Sequence, residues 1–426
     1  MSSLPGGPQI AMHEGTLFIE DVRVADLARR FGTPLYVYSQ ASLAQALAAY
    51  QGALAGRDHL VCYAMKANSS LAVLQWFASK GCGFDIVSGG ELERVLAVGG
   101  DPARVVFSGV GKTRAEMQRA LDVGVMCFNV ESIGEMEVLS GVAAACGRTA
   151  RVSLRINPDV DPKTHPYIST GLRASKFGIA HDDAVAAYAR AAALPGLEVV
   201  GIDCHIGSQI TEAAPYVEAV DRLLDLVEEA EQTGIRIAHV DVGGGLGITY
   251  ADETPPAAGE LIGRLLERID ARGHGHRKLL FEPGRSLVGN AGLLASEVLY
   301  VKTGAEKNFC IVDAAMNDLM RPALYSAWMR IVECEPNGPP ALRCDVVGPV
   351  CESGDWLGRD RDLSVAPGDF IAVLSAGAYA MSMAGNYNTR ARAAEVMVSG
   401  ERAWLVRERE SVADMLRNER LLPADR

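Results

Sequence analysis

Eight short apolar runs separated by helix-like segments are the feature that most limits how this 426-residue chain can fold. The runs span residues 61–67, 83–88, 104–109, 125–130, 151–158, 198–207, 238–245 and 278–284. They are rich in Val, Ile, Leu and Phe and alternate little between polar and apolar residues, which is typical of strands covered on both faces. Eight such strands, each followed by helical or connecting sequence, predict an α/β fold built on a parallel (β/α)8 barrel of the TIM type.

The segments between these runs carry the sequence signals of helix ends. Thr113 and Glu116 have the spacing of a capping box, and Gly124 follows as a stop signal. Ser132 and Glu135 repeat the same spacing before the next helix. A doubly wound open sheet is the alternative architecture, but it requires a G-x-G-x-x-G sequence after its first strand, and we find none there. The pattern therefore favours the barrel.

The pattern changes after about residue 290, where strand-like runs follow one another with turns between them. They span 296–302, 308–314, 343–348, 369–375, 395–400 and 402–408, and a short hairpin signal separates the last two. We predict an antiparallel β domain, which the N-terminal run 16–22 joins. The predicted organisation is an N-terminal segment joining the β domain (1–35), a barrel (36–290) and a C-terminal β domain (291–426).

Charge and cysteine content restrict the classes of partner. Lys and Arg number 41 against 53 Asp and Glu, a net charge of −12, whereas nucleic-acid binding needs a basic surface. Nine cysteines, an odd number without a C-x-x-C pair, argue against a disulfide framework or a zinc ribbon. Residues 1–20 lack a secretion signal, and the longest weakly polar run, 371–385, is short for a membrane span. We expect a cytoplasmic protein that binds neither membrane nor nucleic acid and needs no metal.

Polar residues at the carboxyl ends of barrel strands are the candidates for chemistry, because the active sites of such barrels lie there. Lys66 ends the first run, where it is either a solvated charge or the fixed amine that Schiff-base chemistry requires. Gly243, Gly244 and Gly245 follow another strand and form either a tight loop or a set of N–H donors for a phosphate. Ser208 ends the strand before it and would add a hydroxyl donor.

Two further residues at strand ends admit both a structural and a chemical interpretation. Glu282 is either paired locally with an arginine or placed to hold a cationic ring nitrogen. His205 is either a core residue or a ring that stacks on a flat cofactor. An amine for an aldehyde, donors for a phosphate, an acid for a ring nitrogen and a flat side chain are together the requirements of pyridoxal phosphate. The combination indicates that cofactor more strongly than any member alone.

Eight motifs carry a family resemblance over roughly residues 15 to 410. They are, in order, YAMKAN (63–68), FDIVSGGE (84–91), HPYISTGLRASKFGI (165–179), HIGSQ (205–209), DVGGGLG (241–247), EPGRS (282–286), CESGD (351–355) and GAYAMSMAGNYN (377–388). In this order they resemble the diaminopimelate decarboxylases, which belong to the alanine-racemase-like barrel class of pyridoxal-phosphate enzymes. EPGRS and the glycine cluster are shared with ornithine and arginine decarboxylases, whereas CESGD together with HPYISTG is narrower.

The resemblance implies a homodimeric carboxy-lyase that converts meso-2,6-diaminopimelate to L-lysine and CO2, the last step of lysine biosynthesis. Lys66 would form the Schiff base with pyridoxal 5'-phosphate near Asp85, Glu282 would hold the ring nitrogen protonated, and His205 would stack on the ring. The remaining cofactor-binding residues that it implies are Arg155, Ser208, Gly243, Gly244, Gly245, Gly284, Arg285 and Tyr379.

The resemblance also implies residues for the substrate. Arg285, Arg321, Tyr325 and Tyr379 would bind it, the arginines at its carboxylates, and Glu352 would bind its distal ammonium. Cys351 would donate the proton and would reach the site from the other subunit, so that the dimer shares its active sites. From the residues alone, Arg321 and Tyr325 have helical i, i+4 spacing, and Cys351 would pass as an ordinary buried thiol.

Several other functions remain open at this point. A related pyridoxal-phosphate decarboxylase would act on ornithine, lysine, arginine or a carboxylated polyamine precursor. An amino-acid racemase on the same barrel would need a second base opposite Lys66. An inactive homologue would bind partners only, which the intact set of candidate residues argues against. A metal-dependent barrel enzyme is less favoured, because His274 and His276 lie in a predicted turn and are expected at the surface.

Overall fold

The computed structural model describes residues 4–162, 164, 170–171, 175–336 and 339–423. The chain divides into two compact units, one formed by residues 44–288 and the other by residues 1–43 with 289–426. Among the described residues, no helix is both long enough and apolar enough to cross a membrane. Most of the HPYISTG motif (165–171) lies outside the described residues.

The helices and strands follow the chain in this order. Residues before the barrel form β1 (Ile10–His13), β2 (Thr16–Ile19), β3 (Val22–Arg23), α1 (Val24–Phe31), β4 (Leu35–Ser39) and α2 (Gln40–Ala53). The next stretch forms β5 (His59–Ala64), α3 (Leu71–Ser79), β6 (Gly83–Ile86), α4 (Gly89–Ala97), β7 (Val105–Phe107), α5 (Arg114–Val123), β8 (Cys127–Val130), α6 (Ile133–Ala145), β9 (Ala150–Asn157), β10 (Ile179–Ala180), α7 (Ala184–Ala193), β11 (Leu197–Asp203), α8 (Ala214–Gln232), β12 (His239–Asp241), α9 (Ala258–Ala271), β13 (Lys278–Phe281) and α10 (Arg285–Val288). The remainder forms β14 (Gly292–Lys302), β15 (Phe309–Val312), α11 (Arg321–Tyr325), β16 (Ile331–Glu333), β17 (Leu342–Val347), β18 (Trp356–Leu363), β19 (Phe370–Val373), β20 (Ala394–Ser399), β21 (Arg402–Arg407) and α12 (Val412–Leu416).

The unit of residues 44–288 is a closed parallel barrel. Its strands pair in the order β9, β11, β12, β13, β5, β6, β7, β8, and β8 pairs again with β9 to close the ring. Every pairing in this ring is parallel, and the short β10 adds to one end of β9. Each of the eight apolar runs contributes one strand, so the predicted (β/α)8 barrel is confirmed. The carboxyl ends of all eight strands consequently face the same side of the barrel.

The two helix starts that the sequence indicated differ in detail. Thr113 accepts a hydrogen bond from the Glu116 amide, and Glu116 reciprocates, so the capping box before α5 is confirmed. Ser132 likewise accepts from the Glu135 amide at 3.2 Å before α6. The Glu135 carboxylate, however, bonds the Lys112 ammonium at 2.7 Å instead of closing the second box. The buried ammonium thus occupies one carboxylate oxygen and the Glu131 backbone amide occupies the other.

The unit of residues 1–43 and 289–426 is a β domain with two sheets. A three-stranded sheet has the order β1-β2-β3, and a larger sheet has the order β18-β17-β15-β14-β4-β20-β21, with β19 pairing β14 and β16. Most pairings are antiparallel, but β15 is parallel to β17 and β4 is parallel to β20. The sequence predicted an antiparallel β domain in addition to the barrel, and this second, mostly antiparallel unit confirms the fold class.

The N-terminal run 16–22 joins this β domain as the sequence indicated, and a further N-terminal strand joins it as well. The run 16–22 forms part of the small sheet, and Leu17 and Ile19 pack in one core with residues of the large sheet such as Leu293 and Val396. The strand that hydrogen-bonds into the large sheet is β4, antiparallel to β14 and parallel to β20. The sequence did not indicate β4, because its short apolar run leads directly into α2 without a turn signal.

One surface prediction from the sequence is wrong. His276 is exposed as expected, but His274 is buried. Its Nε2 lies 3.2 Å from Glu228 Oε1, and its Nδ1 accepts a hydrogen bond from Arg277 Nε at 3.0 Å. Long charged side chains from α8 and from the turn before β13 cover the imidazole, which single-residue patterns do not reveal.

Candidate active site

Lys66 lies just after β5, at the side of the barrel where the carboxyl ends of the strands meet. Its ammonium forms an ion pair with Asp85 of β6. The Lys66 side chain is 32% exposed, whereas Asp85 is fully buried, and its Oδ1 has no hydrogen-bond partner among the described residues. The structure therefore brings these two predicted residues together and presents the amine at the rim of the barrel.

Three buried carboxylates lie together at the carboxyl ends of β11, β12 and β13. Asp203 ends β11, Asp241 ends β12 and Glu282 follows β13, and their oxygen atoms lie within 4.8 Å of one another. Asn129 of β8 donates a hydrogen bond to Glu282 at 3.3 Å. We call Asp203, Asp241 and Glu282 the acid cluster.

Burial makes the acid cluster hard to ionise. It raises the pKa of Asp203 and of Glu282 well above the usual range, and the neighbouring Asp241 raises both further. Burial also raises the pKa of Asp241 to about 7, partly opposed by a hydrogen bond from the Gly243 amide. Carboxylates this close share protons unless a cation lies beside them. The cluster is therefore suited to binding a cationic group.

Sequence reasoning found Glu282 but missed Asp203, Asp241 and Asn129. Each of the two aspartates ends its strand, which is the same signal that singled out Lys66 and Glu282. Applied to every strand, the rule that polar residues at strand ends are candidates would have found both. Asn129 lies inside β8, and no local signal distinguishes it from a structural asparagine.

His205 is held as a neutral ring. Its Nδ1 accepts a hydrogen bond from the Gly244 amide at 3.1 Å, so the proton is on Nε2. Burial lowers the pKa of His205 well below its usual range, and the cations Arg155 and Lys66 lower it further. An uncharged imidazole is the form that can stack on a flat aromatic group without a desolvation penalty.

In the turn after β12, backbone oxygen atoms lie too close to Gly243 and Gly244 for a side chain to fit. A Cβ on Gly244 would lie 2.0 Å from the Glu282 carbonyl oxygen, and one on Gly243 would lie 2.2 Å from the Cys204 carbonyl oxygen. The Gly243 and Gly244 amides bond Asp241 and His205. In the described part of the chain, the Gly245 amide has no acceptor. The turn therefore offers one available donor at Gly245, with φ of 101°, where the sequence suggested three.

Arg285 and Ser208 form a second polar group in the barrel. Arg285 Nη2 donates to Ser208 Oγ at 2.9 Å, and Nη1 donates to the Tyr250 hydroxyl at 2.5 Å. Gly284 precedes this arginine, and a Cβ there would lie about 3 Å from Ala64 at the end of β5. A guanidinium beside a serine hydroxyl is a donor pair that suits a phosphate or a carboxylate.

In the β domain, the predicted residues Cys351 and Glu352 lie in the loop between β17 and β18. The Cys351 amide donates to Asn388 Oδ1 at 3.0 Å, and the Tyr387 hydroxyl bonds Glu352, which raises the pKa of Tyr387. Asp355 ends this loop and accepts from the Val350 amide at 2.7 Å. The motifs CESGD and GAYAMSMAGNYN are therefore neighbours in the fold. In the sequence, the first ends at residue 355 and the second begins at residue 377.

The remaining predicted residues also belong to the β domain. Arg321 begins α11, and its Cζ lies 6.0 Å from the ring centroid of Tyr325, so the two residues share a face as their spacing predicted. Arg321 is buried. Tyr379 has a φ of 52°, a conformation that residues with a Cβ rarely adopt and that is concentrated at functional sites.

The comparison with known families decides the class of this protein. Residues 40–289 match the family model described as pyridoxal-dependent decarboxylase, pyridoxal binding domain. The chain is 58% identical over 410 residues, 96% of its length, to a protein of Pseudomonas aeruginosa named diaminopimelate decarboxylase, of which it covers 98%. The chain belongs to the diaminopimelate decarboxylase family of pyridoxal-dependent decarboxylases.

Solved structures of this family have the same fold over nearly the whole chain. A diaminopimelate decarboxylase from M. jannaschii, in co-complex with L-lysine, superposes with a TM-score of 0.93 at 38% identity and covers 98% of this chain and 99% of its own. The Helicobacter pylori enzyme complexed with L-lysine gives a TM-score of 0.89 at 40% identity, covering 92% of this chain and 98% of its own. The barrel with its β domain is thus the architecture of the diaminopimelate decarboxylases.

The acid cluster of this family member leads to a prediction about pH. A carboxyl of an unfolded chain titrates near pH 4, and the pKa of Asp241 is raised to about 7. Between these values the folded protein retains a proton that unfolding releases, so the free energy of unfolding decreases as the pH rises from about 4 to about 7. We expect Asp241→Asn to reduce this decrease, measured by denaturant unfolding of cofactor-free protein at several pH values.

The matched control is Asp122→Asn, which alters an exposed aspartate of α5. It should keep the wild-type dependence of stability on pH. A wild-type dependence in Asp241→Asn would show that Asp241 is ionised in the folded protein throughout this range.

Proposed function

We propose that this chain is a pyridoxal 5'-phosphate-dependent carboxy-lyase that converts meso-2,6-diaminopimelate to L-lysine and CO2, the last step of lysine biosynthesis. The observation that carries the proposal is the similarity to named diaminopimelate decarboxylases over nearly the whole chain. The chain has Lys66, Glu282, Arg321 and Cys351 where the family resemblance expects them. The fold alone would leave the substrate open, because many functions share one barrel.

The barrel residues fit the proposed cofactor. The acid cluster has buried oxygen atoms, on Asp203 and Asp241, that lack a hydrogen-bond partner among the described residues, and a ring N–H cation would supply one. Lys66 supplies the amine for the aldehyde, and His205 supplies a neutral flat ring. Ser208, Arg285 and the Gly245 amide supply donors for the phosphate, and Gly284 allows the close approach of strand ends. The family resemblance assigns the Tyr379 hydroxyl of the β domain to the same cofactor.

Each chemical role falls to a residue whose environment suits it. When bound, pyridoxal phosphate supplies an electron sink for the bond that breaks when CO2 leaves. Glu282 holds the proton on the ring nitrogen, because its carboxylate is desolvated and bonds a cation strongly. Asp85 holds the Lys66 amine at the rim of the barrel, where it would meet the aldehyde of the cofactor. Cys351 then delivers a proton to the α-carbon of the product, which replaces the departed carboxylate.

Specificity rests on the distal end of the substrate, which carries a carboxylate and an ammonium. Arg321 and Arg285 suit carboxylates through bidentate hydrogen bonds, with Tyr325 beside Arg321, and Glu352 suits the ammonium. Ornithine lacks the second carboxylate and would not form these charge-assisted hydrogen bonds, which disfavours its binding relative to diaminopimelate. The proposed roles of Arg321 and Arg285 therefore predict that diamino acids with a single carboxylate are poor substrates.

The proposed assembly is a homodimer with shared active sites. Cys351 is exposed in this chain, in a loop held by Asn388 and Asp355. An exposed thiol on an ordered loop is available to a neighbouring subunit, which supports the donation of Cys351 across a two-fold interface.

The test of this function is a CO2-release assay with meso-2,6-diaminopimelate beside ornithine, lysine, arginine and a carboxylated polyamine precursor. We expect turnover of diaminopimelate with L-lysine as product and at least about a hundredfold lower efficiency with the others. Faster release from any of them would assign the chain to that substrate, and inversion of configuration without CO2 release would make it a racemase.

Arg321 gives a prediction for substrate binding. We expect Arg321→Ala to raise KM for diaminopimelate by about tenfold or more, because a charge-assisted hydrogen bond to a substrate carboxylate is lost. Steady-state kinetics measure the change. Arg343→Ala, at an exposed arginine of β17 in the same β domain, is the control and should leave KM unaltered. An unchanged KM in Arg321→Ala would place Arg321 outside the substrate site.

A further inference from the structure

Glu131 joins three strand ends of the barrel through a buried carboxylate. It follows β8, and its side chain is 2% exposed. Its Oε1 accepts from the Gly109 amide at 2.9 Å and from Arg155 Nη1 at 3.0 Å. Its Oε2 accepts from the Gly178 amide at 3.1 Å. One carboxylate thus holds the segments after β7 and before β10 together with an arginine of β9.

The orientation of Glu131 is itself fixed from behind. Its backbone amide donates to Glu135 Oε2 at 2.9 Å, and Glu135 Oε1 accepts from Lys112 Nζ at 2.7 Å. Lys112 has a fully buried side chain and also donates to the carbonyl oxygens of Gly109 and Asn129 at 2.8 Å. A buried ammonium with three acceptors tolerates little displacement, since each lost bond leaves a desolvated charge.

Arg155 connects this network to the acid cluster. Its Nη1 bonds Glu131, while its Nε lies 4.0 Å from Asp203 Oδ2. Its Cζ lies 5.0 Å from the ring centroid of Phe177, which limits its movement on another side. The Glu131 carboxylate accepts a hydrogen bond from this guanidinium, so removing it would loosen the position of Arg155 beside Asp203.

We propose that Glu131 is a positioning residue that holds Arg155 beside Asp203, where the fixed guanidinium favours the ionised form of the acid cluster and so allows Glu282 to carry a charge opposite the cofactor ring nitrogen. Three carboxylates within 4.8 Å cannot all be ionised without cations. If Arg155 moves away, Asp203 must share a proton with its neighbours, and the shared proton weakens the hold of Glu282 on a ring cation. The inference rests on the proposed function, because it takes the ring cation to be pyridoxal phosphate.

A double-mutant cycle on cofactor affinity tests this role. The full-length wild type, Glu131→Gln, Arg155→Met and the double variant are each dialysed against a series of pyridoxal phosphate concentrations. The absorbance of the bound cofactor then gives the dissociation constant of each protein. We expect Glu131→Gln to weaken binding by about tenfold. Because Glu131 acts through Arg155, the double variant should bind as Arg155→Met does, within about twofold. A merely structural role would instead give multiplied losses in the double variant.

The double-mutant cycle has one control variant and one substitute for Glu131→Gln. Glu137→Gln removes an exposed glutamate of α6 that bonds Arg190 at 2.8 Å, and it should leave the affinity unchanged. If Glu131→Gln does not fold, Glu131→Asp keeps the charge on a chain too short to reach Arg155, and the same cycle is run with it. Multiplied losses, or wild-type affinity in Glu131→Gln, would overturn the inference while leaving the proposed function intact. Failure of the wild type to bind pyridoxal phosphate would overturn both.

Discussion

Replacing Lys66 by alanine is expected to abolish covalent attachment of pyridoxal phosphate and to lower decarboxylation by at least about a thousandfold. The reason is positional. Lys66 follows β5, and its amine lies at the rim of the barrel beside Asp85. The Lys112 ammonium, by contrast, is fully buried among three acceptors. Borohydride reduction followed by mass spectrometry of the peptide that contains residue 66 measures the attachment directly.

The matched control is Lys80→Ala. Lys80 is an exposed lysine after α3 whose Nζ lies 5.6 Å from the Trp76 ring centroid. It should retain the cofactor label and full activity. A cofactor label that persists in Lys66→Ala would remove the amine from the mechanism and with it the proposed function of the barrel site.

Replacing Cys351 by alanine is expected to lower turnover by about a hundredfold to ten-thousandfold, the range that a general acid contributes. The variant should still bind the cofactor, because the residues assigned to the cofactor's aldehyde and ring lie in the barrel, whereas Cys351 lies between β17 and β18 of the β domain. Turnover and bound cofactor are measured on the same sample. Cys146→Ala, at the end of α6, is the control thiol and should behave as wild type.

Mixing the two inactive variants tests whether the subunits share a site. If Cys351 acts across a two-fold interface, a dimer of Lys66→Ala with Cys351→Ala has one site with both residues intact. Random exchange of subunits would then restore about a quarter of wild-type activity. Activity no higher than that of the separate variants would place both residues in the same subunit's site, and full turnover by Cys351→Ala alone would exclude the acid role.

The barrel and part of its site could be predicted because both depend on local pattern. Doubly covered parallel strands appear as continuous apolar runs, so all eight strands were found. The polar residue that ends such a run lies on the functional side of the barrel, and this rule singled out Lys66, His205 and Glu282. The family resemblance added residues that the rule cannot reach, since Cys351 and Arg321 lie outside the barrel.

What the chain's own residues determined was therefore the periodicity of its elements and the type of chemistry at their ends. The tertiary structure alone decided which ends meet. Asp203, Asp241 and Glu282 follow one another at intervals of 38 and 41 residues, yet one carboxylate oxygen of each lies within 4.8 Å of the others. Glu131 reaches Arg155 because β8 pairs with β9. It also decided that β4 enters the large sheet. Local propensities act over a few residues, whereas closure of the barrel and burial of charged groups bring distant residues together. The interaction energy between such residues depends on the tertiary structure and cannot be predicted from a short segment.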